Sequence, residues 1–288
     1  MTVIHHDLAL ARRLERANAL DGESAARAEA QLFPGRVEVA IERVAGGSLI
    51  FCGVDSFLSH ALGLGLDGPV SDEALDRVER FYFSRGSRAE LDLCPLADPT
   101  LAGRLVDRGF RPDHFEAVLV RALVGIEGEA RRLADTQPAD IELREGGAEH
   151  TEAYARGLAD AFAPGGEPPA LHSLILEVGR SSFQRPAGPR LLAWAPGDPE
   201  PIAAGALNLH EGVGCLSGAW TRGDHRRRGI QRALIYRRLL LAARAGCDLA
   251  QIVGDPGSPT QRNAERCGFA PSYTRLVFTK PLPVAGSK

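Results

Sequence analysis

The chain has 288 residues, of which 44% are hydrophobic and 25% charged, with a formal net charge of -3. That length carries one large domain or two of about 140 residues, either able to bury a core, and the composition excludes a disordered or fibrous chain. Five cysteines (Cys52, Cys94, Cys215, Cys247, Cys267) include no C-x-x-C pair, which argues against a disulfide framework or zinc ribbon, and near-neutral charge makes no general case for a nucleic-acid partner.

The opening stretch, MTVIHHDLALARRLERANAL, has no unbroken apolar segment, and no apolar run reaches 18 residues anywhere. A cytoplasmic protein without a membrane partner is therefore expected. His5 and His6 are adjacent, share no helix or strand face and have no third ligand at a suggestive spacing, so no metal is expected.

In chain order, a helical pattern runs from about 7 to 30, and VEVAIERVAGGSLIFCG alternates like two strands joined at Gly46-Gly47. A helix opens at Ser71, a plausible N-cap with Asp72 and Glu73 in the first turn, and stops near Gly86. AELDL reads as a strand, TLAGRLVDRG as a helix and FEAVLVRAL as a strand, followed by a polar, helix-prone connector at roughly 124–139. The pattern then restarts: IELRE as a strand, TEAYARGLADAF and LHSLILEVG as helices, then strands RLLAWA, PIAAGALNLH and VGCLSGAWT. A helix with an apolar seam of Ile230, Ala233, Leu234, Leu241 and Ala245 ends at Gly246; LAQIV, the helix TQRNAERCG and the strand YTRLVFTK close the chain.

The two halves end alike. RGFRPDHFEAVLVRAL aligns without gaps on CGFAPSYTRLVFTKPL, matching Gly109, Phe110, Pro112, Val118 and Leu123 to Gly268, Phe269, Pro271, Val277 and Leu282 at one offset of 159. With the shared element order upstream, this indicates two copies of one α/β unit. The expected boundaries are a first domain at 1–126, a linker at 127–139 and a second domain at 140–288.

The stretch HRRRGIQRAL, residues 225–234, places three arginines and a glycine directly before a helix. The first turn of a helix has unpartnered N–H groups and a partial positive charge, so it attracts anions. Gly229 removes the Cβ that would hold a phosphate away, and Arg226, Arg227 and Arg228 add donor forks suited to phosphate oxygens. At the equivalent place the first copy has Asp67-Gly68-Pro69-Val70-Ser71-Asp72-Glu73, its own carboxylates in place of the arginines, and is not expected to bind phosphate. Gly63 to Gly68 also form a literal G-x-G-x-x-G, but Asp67, Asp72 and Glu73 would sit beside a pyrophosphate, so a flexible connection is the preferred reading over a dinucleotide fingerprint.

Arg226 to Gln231 resembles the R/Q-x-x-G-x-G/A acyl-coenzyme A signature of the GCN5-related N-acetyltransferases (GNAT), following a strand ending in GAWT and opening a helix, and QRNAERCGF resembles that family's second signature. The resemblance spans roughly 140–282 and, in degenerate form, 35–123. It implies an α/β (α+β) chain of two tandem GNAT-like domains, each a mixed central sheet flanked by helices. It further implies acetyl transfer from acetyl-CoA, as co-substrate, to a small-molecule or protein amine by direct attack, in a monomer or homodimer. On this resemblance the amides of Gly229, Ile230 and Gln231 hold the pyrophosphate with Arg226 to Arg228 nearby, and Ala219, Trp220 and Thr221 pair with pantetheine or wall the acyl pocket. Asn263 is expected to hydrogen-bond pantetheine and Arg266 to reach the 3′-phosphate. Gln231 stands where the family has Gly or Ala, and Ala264 where it has its general-acid tyrosine.

An amine nucleophile must lose a proton. The candidate bases are Glu211, His210 and Asp255; Tyr273 is the nearest remaining tyrosine for protonating the leaving thiolate, with Ser258 and Cys267 behind it. Cys215 and Cys247 lie in apolar segments without an adjacent histidine, which disfavours a covalent intermediate. Two alternatives remain open: an acyl-CoA binding or sensing module without turnover, and a dinucleotide oxidoreductase using residues 63–68.

Overall fold

The structure, a computed structural model, describes residues 4–134, 138 and 140–283, with residues 131–134 by their backbone alone. The chain divides into two compact units that are not its two sequence halves. The N-terminal unit runs to Val118 and takes in Gly254–Pro256 and the chain from Pro271 on; the C-terminal unit comprises Leu119–Val253 and Gly257–Ala270. A cut between 126 and 140 therefore does not separate them. The segment from Leu119 on belongs to the C-terminal unit, and the final strand from Pro271 on belongs to the N-terminal one.

In the N-terminal unit, helix α1 (Leu8–Leu32) opens at Asp7, whose carboxylate accepts from the Leu10 amide at 2.9 Å. Strands β1 (Val39–Val44) and β2 (Gly47–Cys52) form a hairpin whose turn residues Ala45 and Gly46 both have positive φ, as a tight turn between twisted strands requires. There follow β3 (Ala61–Leu62), α2 (Asp72–Phe83), β4 (Ala89–Leu93), α3 (Leu101–Asp107) and β5 (Arg111–Ala122). The last strand, β11 (Ala270–Lys280), lies antiparallel to β4 with Leu276 opposite Leu93 and Lys280 opposite Ala89, giving the order β1-β2-β3-β4-β11. One sheet face packs on α2 and α3 through Leu75, Val78, Leu91, Leu105, Phe110 and Phe278; the other meets α1 through Ala19, Ala26, Ile50 and Leu62.

The C-terminal unit contains α4 (Ile126–Ala134), β6 (Glu142–Glu145), α5 (Thr151–Phe162), α6 (Pro169–Gln184), β7 (Arg190–Trp194), β8 (Ala203–His210) and β9 (Val213–Thr221), then α7 (Ile230–Arg244), β10 (Leu249–Gly254) and α8 (Pro259–Arg266). Its strands run in the order β10-β9-β8-β7-β6, antiparallel except for β9 with β10. Alternation sorts the side chains: Leu192, Trp194 and Ala204 face α5 and α6, while Leu191, Ala193 and Ala203 face Ile230 and Leu234 of α7.

The seam of α7 differs from the expected one. Ala242, not Ala245, is buried at its C-terminal end, Leu241 is half-buried, and the 230-234-238-242 row is completed by a buried arginine, Arg238. Arg238 fits because Gly205 faces it: a Cβ there would stand 2.6 Å from the guanidinium carbon. A charged residue in mid-seam hides the 3.6-residue period from a hydropathy pattern. Among the described residues no helix is long and apolar enough to cross a membrane.

Candidate functional site

The stretch between β9 and α7 forms an open turn at a helix end. Gly229 is the N-cap of α7 at φ 79, a left-handed conformation that glycine adopts without strain; no side chain caps the helix and its first turn holds no acid. A Cβ on Gly229 would meet nothing within 4 Å, so the helix end has room in front of it. Arg227 also has positive φ, at 66, which turns the run sharply. The three arginines are placed differently. The Arg226 Nε donates to the Thr221 carbonyl at 3.2 Å, Arg228 is tied to His225 at 2.8 Å and to Asp140, and the exposed Arg227 has no side-chain partner among the described residues.

Gln231 points away from this opening. Its Nε2 donates to the Trp220 carbonyl at 2.6 Å and to Thr221 Oγ1 at 2.9 Å, so the larger residue where the signature has Gly or Ala pins α7 to the end of β9.

Two irregularities in β9 prepare the space beside it. The pairing with β8 passes from Ala204 opposite Trp220 to Ala206 opposite Ser217, so Gly218 and Ala219 stand against the single residue Gly205 and β9 bulges. Gly218 has φ 56, its carbonyl accepts from the Tyr154 hydroxyl at 3.0 Å, and a Cβ on it would sit 1.9 Å from that hydroxyl. On the other side, the pairing of β9 with β10 covers only Val213–Cys215 against Leu249–Gln251, beyond which the two strands continue as a fork.

The closed end of that fork is polar. Asn208, Cys215 and Gln251 are register partners across β8, β9 and β10, on the face toward α5 and α6. Asn208 donates to Ser217 Oγ at 3.2 Å and Gln251 to Cys215 Sγ at 3.1 Å, while Asn208 Oδ1 and Gln251 Oε1 are buried without a partner. Buried acceptors of this kind are costly unless something donates to them.

The remaining expected residues scatter. Trp220 is buried among Tyr154, Leu158, Phe183 and Trp194 and lies against Gly157, where a Cβ would come within 2.4 Å of its ring; core packing is its evident role. Asn263 is half-buried and Arg266 exposed on α8. Glu211 occupies the β8–β9 turn at φ 46, exposed, with the whole of β9, about 27 Å of strand, between it and Gly229. Tyr273 lies on β11 in the N-terminal unit, where its hydroxyl donates to Glu15 at 2.7 Å and burial pushes its pKa far up. The length of β9 keeps Glu211 away from the α7 turn, and Tyr273 is described only within the N-terminal unit, on β11. Of the candidate bases only His210, half-buried, shares the α5/α6 face of β8 with Asn208. Tyr154, holder of the bulge, gave no sequence signal beyond being the one tyrosine of α5.

The equivalent helix end of the N-terminal unit is closed. Ser71 Oγ caps α2 by accepting from the Ala74 amide at 3.2 Å, and Asp72 is paired with Arg104 at 2.6 Å, which holds its carboxyl below the usual range. Gly63 and Gly65 have φ of 72 and 76, but this loop is occupied by its own chain: the Gly65 amide donates to the Ala45 carbonyl, its carbonyl accepts from Asp98, and Asp67 pairs with Arg12.

Scans of protein-family models and of curated proteins find no match to the chain. Solved structures do match. A GCN5-related N-acetyltransferase from Kribbella flavida aligns over 90% of this chain and 95% of its own, at 22% identity and a TM-score of 0.63. A tandem GNAT protein from the clavulanic acid biosynthesis pathway aligns over 96% and 95% at 13% identity and 0.60, and a functionally unknown conserved protein from Staphylococcus epidermidis over 88% and 98% at 12% and 0.59. The chain thus has the fold of the GCN5-related N-acetyltransferases and aligns with 95% of a tandem protein of that fold.

Proposed function

We propose that the C-terminal unit is an N-acetyltransferase that takes its acetyl group from acetyl-CoA and passes it to an amine by direct attack. The observation that carries this reading is the uncapped start of α7 at Gly229, opening beside a bulged β9 that forks from β10. The residues present fit such a donor: Gly229 leaves room for a pyrophosphate at the helix end, Arg227 offers it a free guanidinium, and the fork leaves strand edges along which a pantetheine arm can lie. When bound, acetyl-CoA supplies an activated thioester carbonyl.

The chain's own residues do the rest. Gln231 and Arg226 fix the end of β9 through the Trp220 and Thr221 carbonyls, and Tyr154 holds the bulge open through the Gly218 carbonyl. Asn208 Oδ1 and Gln251 Oε1 are the unsatisfied acceptors available to the N–H groups of the incoming amine at the closed end of the fork, and the amine gives up a proton as it attacks. An N–C bond forms, the C–S bond breaks, and the proton released is available to the departing thiolate.

Thiol release with a panel of primary amines tests this. The expected result is amine-dependent release by the wild-type chain that is abolished in Gly229→Glu; no release with any amine at saturating acetyl-CoA counts against turnover. Ala264 is fully buried where the family's tyrosine would stand, and this favours a second reading, a binding module without turnover. Saturable acetyl-CoA binding without thiol release selects it.

A further inference from the structure

Outside this site, the α1 face of the N-terminal sheet carries a group of ionisable residues that acyl transfer does not use. Glu90 and Asp92 are two apart on β4 and point to the same face. Parallel pairing of β3 with β4, Ala61 opposite Leu91, sets His60 beside them. One ligand atom from each of His60, Glu90 and Asp92 lies within 4.8 Å of the others. His60 Nδ1 is 3.3 Å from Asp92 Oδ2.

The trio lies in a dense group of buried and half-buried charges. Arg275, buried, pairs with Glu15 at 2.7 Å and Glu116 at 3.2 Å and stands 3.7 Å from Asp92 Oδ2; Arg88 pairs with Glu90 at 2.9 Å. Four carboxylates therefore face two guanidinium groups and two imidazoles, those of His60 and, on β5, His114. Independently, Asp92, 3% exposed, has Oδ1 buried with no hydrogen-bond donor. A buried carboxylate oxygen without a donor is expensive, and a cation is the partner that satisfies it without a proton.

We propose that His60, Glu90 and Asp92 bind a divalent first-row metal ion in the N-terminal unit. One imidazole and two carboxylates form a nitrogen–oxygen set suited to Zn2+ or Mn2+, whose ligand atoms stand about 2.0–2.2 Å from the ion, so the three side chains close in on it from the observed spacing. The ion gives the unpartnered Asp92 Oδ1 a cation and ties β4 to the segment before β3. The site is independent of the acyl-transfer reading and persists if that reading fails.

Calorimetric titration of Zn2+ into the metal-stripped full chain, with Mn2+ as a second arm, tests the proposal. The expected result is about one site per chain, with affinity lowered at least about 100-fold in Glu90→Gln and in Asp92→Asn, and retained in the His5→Ala/His6→Ala double variant. Circular dichroism monitors folding. Glu90 is half-buried, so Glu90→Gln keeps the test decisive should Asp92→Asn fail to fold. Co2+ bound in place of Zn2+ is expected to give visible absorption that Glu90→Gln abolishes. Absence of binding by the wild type overturns the proposal, as does binding that survives Glu90→Gln but is lost without His5 and His6, an adventitious ion only.

Discussion

Gln231 Nε2 donates to the Trp220 carbonyl at 2.6 Å, joining the first turn of α7 to the last turn-ward residues of β9. Gln231→Ala removes this donor and the one to Thr221 Oγ1 and leaves the Trp220 carbonyl short of a partner. The expected cost is about 1–3 kcal/mol of stability, with weaker acetyl-CoA binding because the helix start is no longer held against the strand. Urea unfolding and calorimetry check it; unchanged binding would mean that the two elements keep their geometry without this link.

Gly229 separates backbone strain from ligand exclusion. A Cβ there meets no protein atom within 4 Å, so the penalty of Gly229→Ala in the folded chain comes from its φ of 79, roughly 1 kcal/mol. Loss of acetyl-CoA affinity is expected to exceed this, because the methyl group occupies the space in front of the helix amides. Parallel thermal melts and binding isotherms of the two proteins measure the difference.

Tyr154 and Gly157, on one helix, shape the bulge and the indole behind it. Tyr154→Phe strands the Gly218 carbonyl at a cost of about 1–2 kcal/mol, and acetyl-CoA binding is expected to weaken because the bulge beside the fork is no longer held. Gly157→Ala places a methyl where only 2.4 Å separates it from Trp220, and about 1–3 kcal/mol of overpacking strain is expected. Chemical denaturation gives both values.

The cysteines predict a pH effect. Burial pushes Cys52 up to about 12 and Cys94 and Cys267 up to about 11, from a reference of 9.0. The folded state retains these protons after the unfolded chain has lost them, so their contribution to stability is full below about pH 9 and declines as pH rises toward 11–12. Native chain near pH 7.5 is accordingly expected to react with a thiol reagent at far below five equivalents, rising to five on unfolding. Rapid native labelling would contradict the burial.

Local physics was legible wherever one segment decided the outcome. The glycine and basic run before α7, the Ser71 cap of α2 and the hairpin at Gly46 each follow from residues a few positions apart, and each stands where the sequence placed it. What the sequence hid depends on distant partners. Tyr273 is held by Glu15, 258 residues away, because β11 pairs with β4, and a repeat in sequence does not say in which sheet a terminal strand will sit. The polar row of Asn208, Cys215 and Gln251 exists only through strand register, and the β9 bulge through one extra residue opposite Gly205. His60, Glu90 and Asp92 converge through parallel pairing that no spacing rule reveals.

Calorimetric titration of acetyl-CoA into the wild-type chain and into Gly229→Glu, with NADH as control, tests the central claim most directly. The account predicts saturable binding at about one site per chain, abolished in Gly229→Glu while its circular dichroism is unchanged, and no response to NADH. Absence of acetyl-CoA binding, or binding indifferent to Gly229→Glu, would contradict it and leave the three arginines before α7 as a solvated basic turn.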